Sequence, residues 1–258
     1  MLTAMSAASD HAAPPAPPAP PAWRAWHVAD GSLEALKWLG LIAMTLDHIN
    51  TFLLAGREPL LYAVGRLAFP LFAFVLAYNM ARPGAAEPQH LMRVATRLLA
   101  FALLATVPMV GLGLMRWGWW PLNILFTFLV AVLLLALHTR GHRLHRLIAL
   151  LLFVIGGALV DYFWIGLALT LAAWQFLRKP SRAALALWVA LVTALSLLAW
   201  WLRGTSPLLS GAALLSFALI LAAARIELPV PRLRWLFYAY YPAHLALLWA
   251  IQRAWLGP

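Results

Sequence analysis

The sequence predicts an all-α protein that crosses a membrane about nine times, and its composition is the first observation that indicates this class. Of the 258 residues, 64% are hydrophobic and only 10% are charged, and the mean hydropathy is +0.84. Soluble globular domains carry roughly 25% charged residues, so this composition indicates a polytopic membrane protein instead. A series of apolar segments is the second observation, and the distribution of basic residues between them is the third.

The N-terminal region has a different composition from the rest of the chain. Residues 1–30 contain the tract HAAPPAPPAPPA. Proline-rich sequence favours the polyproline II conformation and cannot build a packed helix. No basic stretch precedes an apolar one in this region, so we expect no cleavable signal peptide. The sequence therefore predicts a disordered tail over residues 1–30 and a transmembrane helical domain over residues 31–258.

Nine apolar segments follow the tail, at residues 33–54, 60–80, 91–114, 121–138, 146–160, 162–177, 183–202, 207–224 and 235–255. A helix needs about 20 residues to cross a hydrocarbon core about 30 Å thick, and the fifth and sixth segments are shorter than this. Joined into one helix, residues 146–177 would be about 48 Å long, which is too long for one crossing. Gly156, Gly157 and Asp161 offer a place to turn, which favours two short helices over one tilted helix.

The basic residues favour nine segments and set the predicted orientation. Fourteen of the 19 Lys and Arg residues fall on the N-terminal flank or in the even-numbered connections, and the opposite side holds only Arg57, Arg116, Arg203 and Arg253. Cytoplasmic loops carry the excess of basic residues, so we predict a cytoplasmic N-terminus and an external C-terminus. The arginines form no basic stripe or arm, so the net charge of +11 does not indicate a nucleic-acid partner.

The first two apolar segments carry ionisable side chains where such groups are costly. Asp47 and His48 lie on the first segment and Arg66 lies on the second. At a rise of about 1.5 Å per residue, His48 and Arg66 each lie about 9 Å from the connection between the segments, so they share one depth. Ionisable groups within a membrane face one another or a wet cavity. Because Asp47 and His48 point about 100° apart on a helix, we expect Asp47 to pair with Arg66 and His48 to stay free.

The predicted orientation places this first polar cluster in the outer half of the membrane. Further polar residues are predicted on that side or near the middle of the membrane. Asn123 begins the fourth segment with Thr127 one turn further on, and Asp161 lies at the turn between the two short helices. The last segment, FYAYYPAHLALLW, carries Tyr241 and His244, and His244 lies near its mid-depth. For Asn123 and Thr127 the structural alternative is helix packing with interhelical hydrogen bonds.

Several kinds of site are excluded by the residues that the sequence lacks. There is no cysteine, which excludes disulfides, thiol nucleophiles and cysteine-based metal sites. The motifs HExxH, P-loop and GxGxxG are missing, and no cluster of Asp, Glu and His has the spacing of metal ligands. We therefore predict no metal site.

The hairpin LKWLGLIAMTLDHI…VGRLAFPLFAFVLA resembles the start of the TraX family, the membrane proteins that N-acetylate F-type conjugative pilins. The resemblance continues through LNILFTF, VDYFWIGLALTL and FYAYYPAHLALL, and thus covers residues 33–250 but not the tail. It implies an acetyltransferase of the bacterial inner membrane, with acetyl-CoA as the donor and the N-terminus of a pilin as the acceptor. The chain is also distantly similar to the wider class of multi-span membrane acyltransferases, whose working residues include a membrane-embedded histidine.

The chemistry of amine acetylation assigns roles to the polar residues. The reaction needs a base or a nucleophile, and it needs stabilisation of a tetrahedral oxyanion. We predict that His48 is the base or a transient acetyl carrier, and that Asp47, Arg66 and His244 complete the catalytic group. The predicted substrate-binding residues are Asn123, Thr127, Asp161 and Tyr241. The predicted contacts for the phosphates of the donor are Arg93, Arg97 and Arg146, at the cytoplasmic ends of helices.

Two functions of other classes remain open at this point. A proton-coupled transporter also uses Asp, His and Arg side chains within the membrane. Transporters often contain internal repeats, and residues 33–138 and 146–255 show no convincing repeat of one another. A non-catalytic membrane scaffold for pilus assembly is the other alternative, and it requires the polar cluster to be purely structural.

Overall fold

The structure, a computed structural model, describes residues 26–115, 117–233 and 235–256. Within these residues the fold is helical and contains no β-strand, which confirms the predicted all-α class. The helices are α1 (Asp30–Phe52), α2 (Pro59–Gly65), α3 (Ala68–Ala81), α4 (Pro88–Gly111), α5 (Ile124–Arg140), α6 (Arg143–Leu159), α7 (Phe163–Arg178), α8 (Arg182–Arg203), α9 (Pro207–Gly211), α10 (Leu215–Ala223) and α11 (Leu236–Leu256), with a 3₁₀ turn, Ala212–Leu214, between α9 and α10.

Each predicted apolar segment coincides with one helix or with one broken helix. The second segment forms α2 and α3, and the eighth forms α9 and α10. Among the described residues, three helices are long and apolar enough to cross a membrane by length and composition: Pro59–Ala81, Pro88–Gly111 and Arg182–Leu202. Shorter apolar helices are Ile124–Arg140, Phe163–Arg178 and Pro207–Ala223. The number of nine crossings and the orientation of the termini stay predictions.

A sharp turn separates α6 from α7, so the alternative of one long helix over this region is wrong. The turn covers residues 160–162, and both Tyr162 and Phe163 have positive φ angles, of 61° and 50°. The backbone N–H of Leu122 donates to the carbonyl of Leu159 at 2.8 Å, and the N–H of Asp161 donates to the carbonyl of Leu122 at 2.7 Å. These bonds replace the helical ladder and fix the turn against the start of α5.

Helix α3 lies at the centre of the packing. Its residues Leu71, Ala73, Phe74 and Ala77 are completely buried, between α1 on one side and α7 on the other. Helix α6 lies at the periphery, since most of its side chains are exposed on the protein surface. Helix α3 is therefore enclosed largely by protein, and the ionisable side chains Asp47 and Arg66 of the hairpin face each other.

The last residues of the predicted tail pack against the helices. Val28 is buried, its N–H donates to the Tyr78 hydroxyl at 2.9 Å, and that hydroxyl donates to the Val28 carbonyl at 3.1 Å. Asp30 forms an ion pair with Arg82, whose hydrogen bond lowers the pKa of the Asp30 carboxyl. Residues 26–30 thus belong to the packed part of the chain, and the rest of the predicted tail lies outside the described residues.

Candidate active site

A break between α2 and α3 positions the arginine of the predicted cluster. Helix α2 ends at Gly65, and α3 begins at Ala68, so Arg66 lies in the break. Pro70 has no N–H to donate to the carbonyl of Arg66 four residues earlier, and its ring crowds that carbonyl. The sequence therefore dictates a kink at this point, and the kink carries Arg66 towards α1.

Arg66 and Asp47 form the ion pair that the sequence predicts. Nη2 of Arg66 donates to both carboxylate oxygens of Asp47, at 2.9 Å each. The side chains are 12% and 17% exposed, so the pair is largely but not fully removed from the surroundings. The Arg66 guanidinium also lies 4.4 Å from the centre of the Tyr62 ring, and its Nε donates to the Tyr62 carbonyl at 3.4 Å. Arg66 is thus held from three directions.

The close approach of α2 to α1 depends on Gly65. A Cβ atom at this position would lie 2.4 Å from the Cβ of Asp47 and 2.5 Å from its Cγ and Oδ1. Non-bonded carbon atoms prefer separations of about 3.5–4.0 Å, so only glycine permits this contact. The Gly-Arg dipeptide therefore serves one purpose: glycine brings the helices together, and the arginine neutralises the carboxylate at the contact.

His48 is not free, which corrects the sequence-based expectation. Its Nδ1 lies 2.8 Å from Nε2 of His244, and Nδ1 of His244 lies 2.9 Å from the carbonyl oxygen of Tyr240. The two imidazole rings are parallel within 1°, with centroids 5.1 Å apart. His244 is buried, with 6% exposure, and His48 is partly buried. Two histidines that are 196 residues apart in the sequence thus form one pair.

A second hydrogen bond holds α11 against α1 one turn from His48. Thr45 Oγ1 donates to the Leu41 carbonyl at 2.8 Å, and it lies 2.7 Å from the Tyr240 hydroxyl, which therefore acts as the donor to it. The Tyr240 ring stacks on the His244 ring at a centroid distance of 5.1 Å. Sequence reasoning missed Thr45, although its position three residues before His48 places both on one face of α1.

A cavity of about 610 Å³ lies between α1, α3, α4, α5 and α11. One end is basic, because five cationic side chains line it along with the acidic Glu87. These side chains are Lys37, Arg82, Arg93, Arg97 and Arg232. Lys37 also pairs with the buried Glu34 at 2.5 Å, and Arg232 approaches the same carboxylate at 3.8 Å. This end of the cavity is suited to a ligand with several negative charges.

The other end of the cavity is apolar and comes close to the histidine pair. Lys37, Leu41 and Met44 line the cavity at spacings of four and three residues, and His48 is the next position on this face of α1. On α11, Tyr241 lines the cavity, and its ring centroid is 5.5 Å from that of His244. Met44 and Tyr241 therefore lie between the apolar end of the cavity and the histidine pair.

The predicted substrate-binding residues make hydrogen bonds within the protein. Asn123 is fully buried, where its Oδ1 accepts from the Leu125 N–H at 3.1 Å and its Nδ2 donates to the Ala102 carbonyl at 2.8 Å. Thr127 donates to the Asp161 carbonyl at 2.8 Å. These contacts cap α5 and join it to its neighbours, so Asn123 and Thr127 have clear structural roles. Their binding of a substrate stays a prediction.

The remaining predicted residues fall in two different environments. The Tyr241 hydroxyl donates to Sδ of Met109 at 3.7 Å, at the apolar end of the cavity. Oδ1 of Asp161 accepts from the Tyr162 N–H at 2.9 Å, in the turn between α6 and α7. Arg146 is exposed on the peripheral helix α6 and does not line the cavity, unlike Arg93 and Arg97, with which the sequence grouped it.

The similarity of this chain to known proteins extends over nearly all the residues of this site. The family model described as TraX protein matches residues 32–252. Protein TraX of Escherichia coli is 29% identical over 228 residues, which are 84% of this chain and 86% of that protein. Protein TraX of Escherichia coli strain K12 is 33% identical over 102 residues, which are 39% of this chain and 38% of that protein. No solved structure is significantly similar to the chain.

Proposed function

The chain belongs to the TraX family, and on the geometry of its candidate active site we propose that it is a membrane-embedded acetyltransferase. The proposed donor is acetyl-CoA, the proposed acceptor is the N-terminal amine of a conjugative pilin, and the proposed location is the bacterial inner membrane. One observation carries the proposal: a single cavity joins a cluster of five cations to the neighbourhood of a histidine pair.

The shape and charge of the cavity support an acyl-CoA donor. Acetyl-CoA has phosphate groups at one end and its reactive thioester at the end of a long arm. Arg and Lys side chains bind phosphates through charge-assisted hydrogen bonds, and the basic end of the cavity carries five of them, although Lys37 and Arg82 also pair with carboxylates of the protein. Along α1, Lys37 and His48 are separated by about 16 Å, from the helical rise. The proposed donor lies with its phosphates at Lys37 and its acetyl group towards His48.

His48 supplies the base in the proposed reaction. The acceptor nitrogen attacks the thioester carbonyl carbon, the new C–N bond forms, and the C–S bond breaks. The proton that the amine loses passes to Nε2 of His48, the ring nitrogen that does not face His244. It then protonates the departing thiolate, which leaves as coenzyme A. Arg66 keeps its positive charge through its pair with Asp47 and contributes a fixed field near the reacting atoms.

Mass spectrometry of pilin tests the proposed function directly. Pilin from cells that carry the protein is expected to have an acetylated N-terminus, and pilin from cells without it is expected to have a free amine. Purified protein in lipid nanodiscs, given acetyl-CoA and processed pilin, is expected to reproduce the modification. A proton-coupled transporter or a scaffold would alter transport or assembly and leave the pilin N-terminus the same in both kinds of cell.

The donor entrance gives a separate prediction. The double variant Arg93→Glu/Arg97→Glu places two negative charges at the basic end of the cavity, so we expect acetyl-CoA to bind at least roughly tenfold more weakly. Hydrogen bonds to charged groups contribute about 1.5–3 kcal/mol, and exposure of Arg93 reduces its share. The measurement is titration of acetyl-CoA into the protein in nanodiscs.

Arg146→Glu is the matched control for this variant. Arg146 also lies at the start of a helix with a basic flank, but it is outside the cavity. We expect Arg146→Glu to bind acetyl-CoA with wild-type affinity. We expect both variants to be present in the membrane in the same amount as the wild type. Equal affinity in the double variant and the wild type would remove this entrance from the proposal, as would an equal loss in Arg146→Glu.

A further inference from the structure

We infer that His244 is a positioning residue, which holds His48 in the tautomer whose Nε2 atom carries a lone pair. The inference rests on the proposed function for its chemical meaning, since only this tautomer can take a proton at Nε2. The tautomer itself is a physical property of the protein and can be measured whether or not the protein is an enzyme.

The direction of the hydrogen bonds follows from the group at the end of the chain of contacts. The Tyr240 carbonyl can only accept a hydrogen bond, so Nδ1 of His244, at 2.9 Å, must carry the proton between them. A neutral imidazole has one protonated nitrogen, which leaves Nε2 of His244 as an acceptor. Nδ1 of His48, at 2.8 Å, then has to donate, and Nε2 of His48 keeps its lone pair.

The relative orientation of the rings supports a well-aligned hydrogen bond. Their planes differ by 1° and their centroids are 5.1 Å apart. For a contact of 2.8 Å between the two nitrogens, this is close to the greatest centroid separation that two imidazole rings can have. Both nitrogens therefore lie near the line that joins the ring centres, where an N–H points and a ring lone pair accepts.

Among the residues that the structure describes, no carboxylate takes this orienting role for His48. Asp47, its neighbour in the chain, accepts from Nη2 of Arg66 with both oxygens. Asp47 also points about 100° away from His48 on α1. The acceptor for Nδ1 of His48 is therefore the neutral ring of His244, which the Tyr240 ring supports by stacking at 5.1 Å.

Loss of His244 would release this constraint. Without an acceptor at Nδ1, the proton of His48 can reside on either ring nitrogen, and the form protonated at Nε2 has no lone pair there. The variant His244→Leu removes the acceptor, whereas His244→Gln keeps an acceptor oxygen for His48 and an N–H donor for the Tyr240 carbonyl. The two variants thus separate loss of the hydrogen bond from loss of the ring.

Nitrogen NMR of protein with ¹⁵N-labelled histidine, in nanodiscs, measures the tautomer. In the wild type we expect His48 to be protonated at Nδ1 and not at Nε2, with its signals identified by their absence in His48→Gln. His244→Gln is expected to retain this pattern, and His244→Leu is expected to show a mixture of tautomers. The exposed His27 gives a control, because His27→Leu should leave the His48 signals unchanged.

The rate of acetyl transfer provides the second readout. We expect kcat to fall about 10²-fold or more in His244→Leu with little change in KM for acetyl-CoA, and to stay within about tenfold of the wild type in His244→Gln.

A His48 protonated at Nε2 in the wild type would overturn the inference, and so would a His244→Leu enzyme as fast as the wild type. If wild-type protein shows the expected tautomer but no transfer, the proposed function fails and the positioning role of His244 stands as geometry alone. If His244→Leu does not fold, the wild-type spectrum and His244→Gln decide the outcome.

Discussion

Replacement of His48 by alanine is expected to abolish acetylation of pilin while the protein still folds and inserts into the membrane. General base catalysis contributes about 10²–10⁴-fold to a rate, so kcat should fall by at least two orders of magnitude. The Asp47–Arg66 pair is unaffected by this change, since neither residue hydrogen-bonds to His48. The measurement is single-turnover acetyl transfer to processed pilin by purified protein in nanodiscs.

His48→Gln is the sharper form of the same test. The alanine variant leaves Nε2 of the buried His244 without its donor, which costs about 1–3 kcal/mol of folding free energy. Glutamine retains an N–H group that can donate to His244 but has no basic nitrogen. We expect His48→Gln to be as stable as the wild type and as inactive as His48→Ala.

Donor binding separates a catalytic defect from a binding defect. The proposed phosphate contacts lie at the basic end of the cavity, about 16 Å from His48 along α1, so both variants should bind acetyl-CoA with nearly wild-type affinity. If His48→Ala inserts normally and acetylates pilin at the wild-type rate, the base is not His48, and His244 becomes the candidate. If the affinity for acetyl-CoA falls with the rate, His48 is part of the donor site instead.

The ion pair was predictable from the sequence because it depends on local geometry alone. Asp47 and Arg66 lie on helices joined by a short connection, so the fixed rise per residue sets their depth. The kink that places Arg66 against Asp47 is also encoded locally, by Gly65 and Pro70, although the sequence predicts the second apolar segment as one helix. The break between α6 and α7 was predictable too, because a single helix over that region would exceed the membrane thickness.

The sequence places His48 and His244 in one catalytic group, but the direct hydrogen bond between them was not predictable, because it depends on how distant helices pack. His48 and His244 are 196 residues apart, and no connecting loop fixes the position of α11 beside α1. The same limit applies to the cavity. Arg93 and Arg146 each lie near the start of an apolar helix with a basic flank, but α4 borders the cavity and α6 is peripheral. Lateral packing decides which of two similar residues can meet a ligand.

A single methyl group at position 65 is expected to disrupt the centre of the site. In Gly65→Ala the new Cβ would lie 2.4 Å from the Cβ of Asp47, which is fixed to the α1 backbone and cannot rotate away. Helices α1 and α2 must therefore separate by about 1 Å to restore a normal contact. This movement lengthens both hydrogen bonds between Arg66 and Asp47, which are 2.9 Å in the wild type.

The expected loss of stability has two parts. Overpacking of a tight contact costs about 1–3 kcal/mol. Breaking a fully buried ion pair costs about 3–5 kcal/mol, and the 12% and 17% exposure of Arg66 and Asp47 places this pair below that range. We therefore expect a lower melting temperature for the solubilised protein, a lower amount in the membrane, and no acetyl transfer.

Gly211→Ala is the matched control for Gly65→Ala. Gly211 ends a short helix, its φ is −68°, and a Cβ atom there would meet nothing within 4 Å. The same methyl group should therefore leave stability unchanged or raise it by a few tenths of a kcal/mol. Arg66→Ala removes the charge partner without moving the helices, so it should be destabilising as well, because it leaves the Asp47 carboxylate buried and unpaired. A Gly65→Ala protein as stable and as active as Gly211→Ala would mean that α1 and α2 do not meet at this contact, and that the field around His48 does not depend on it.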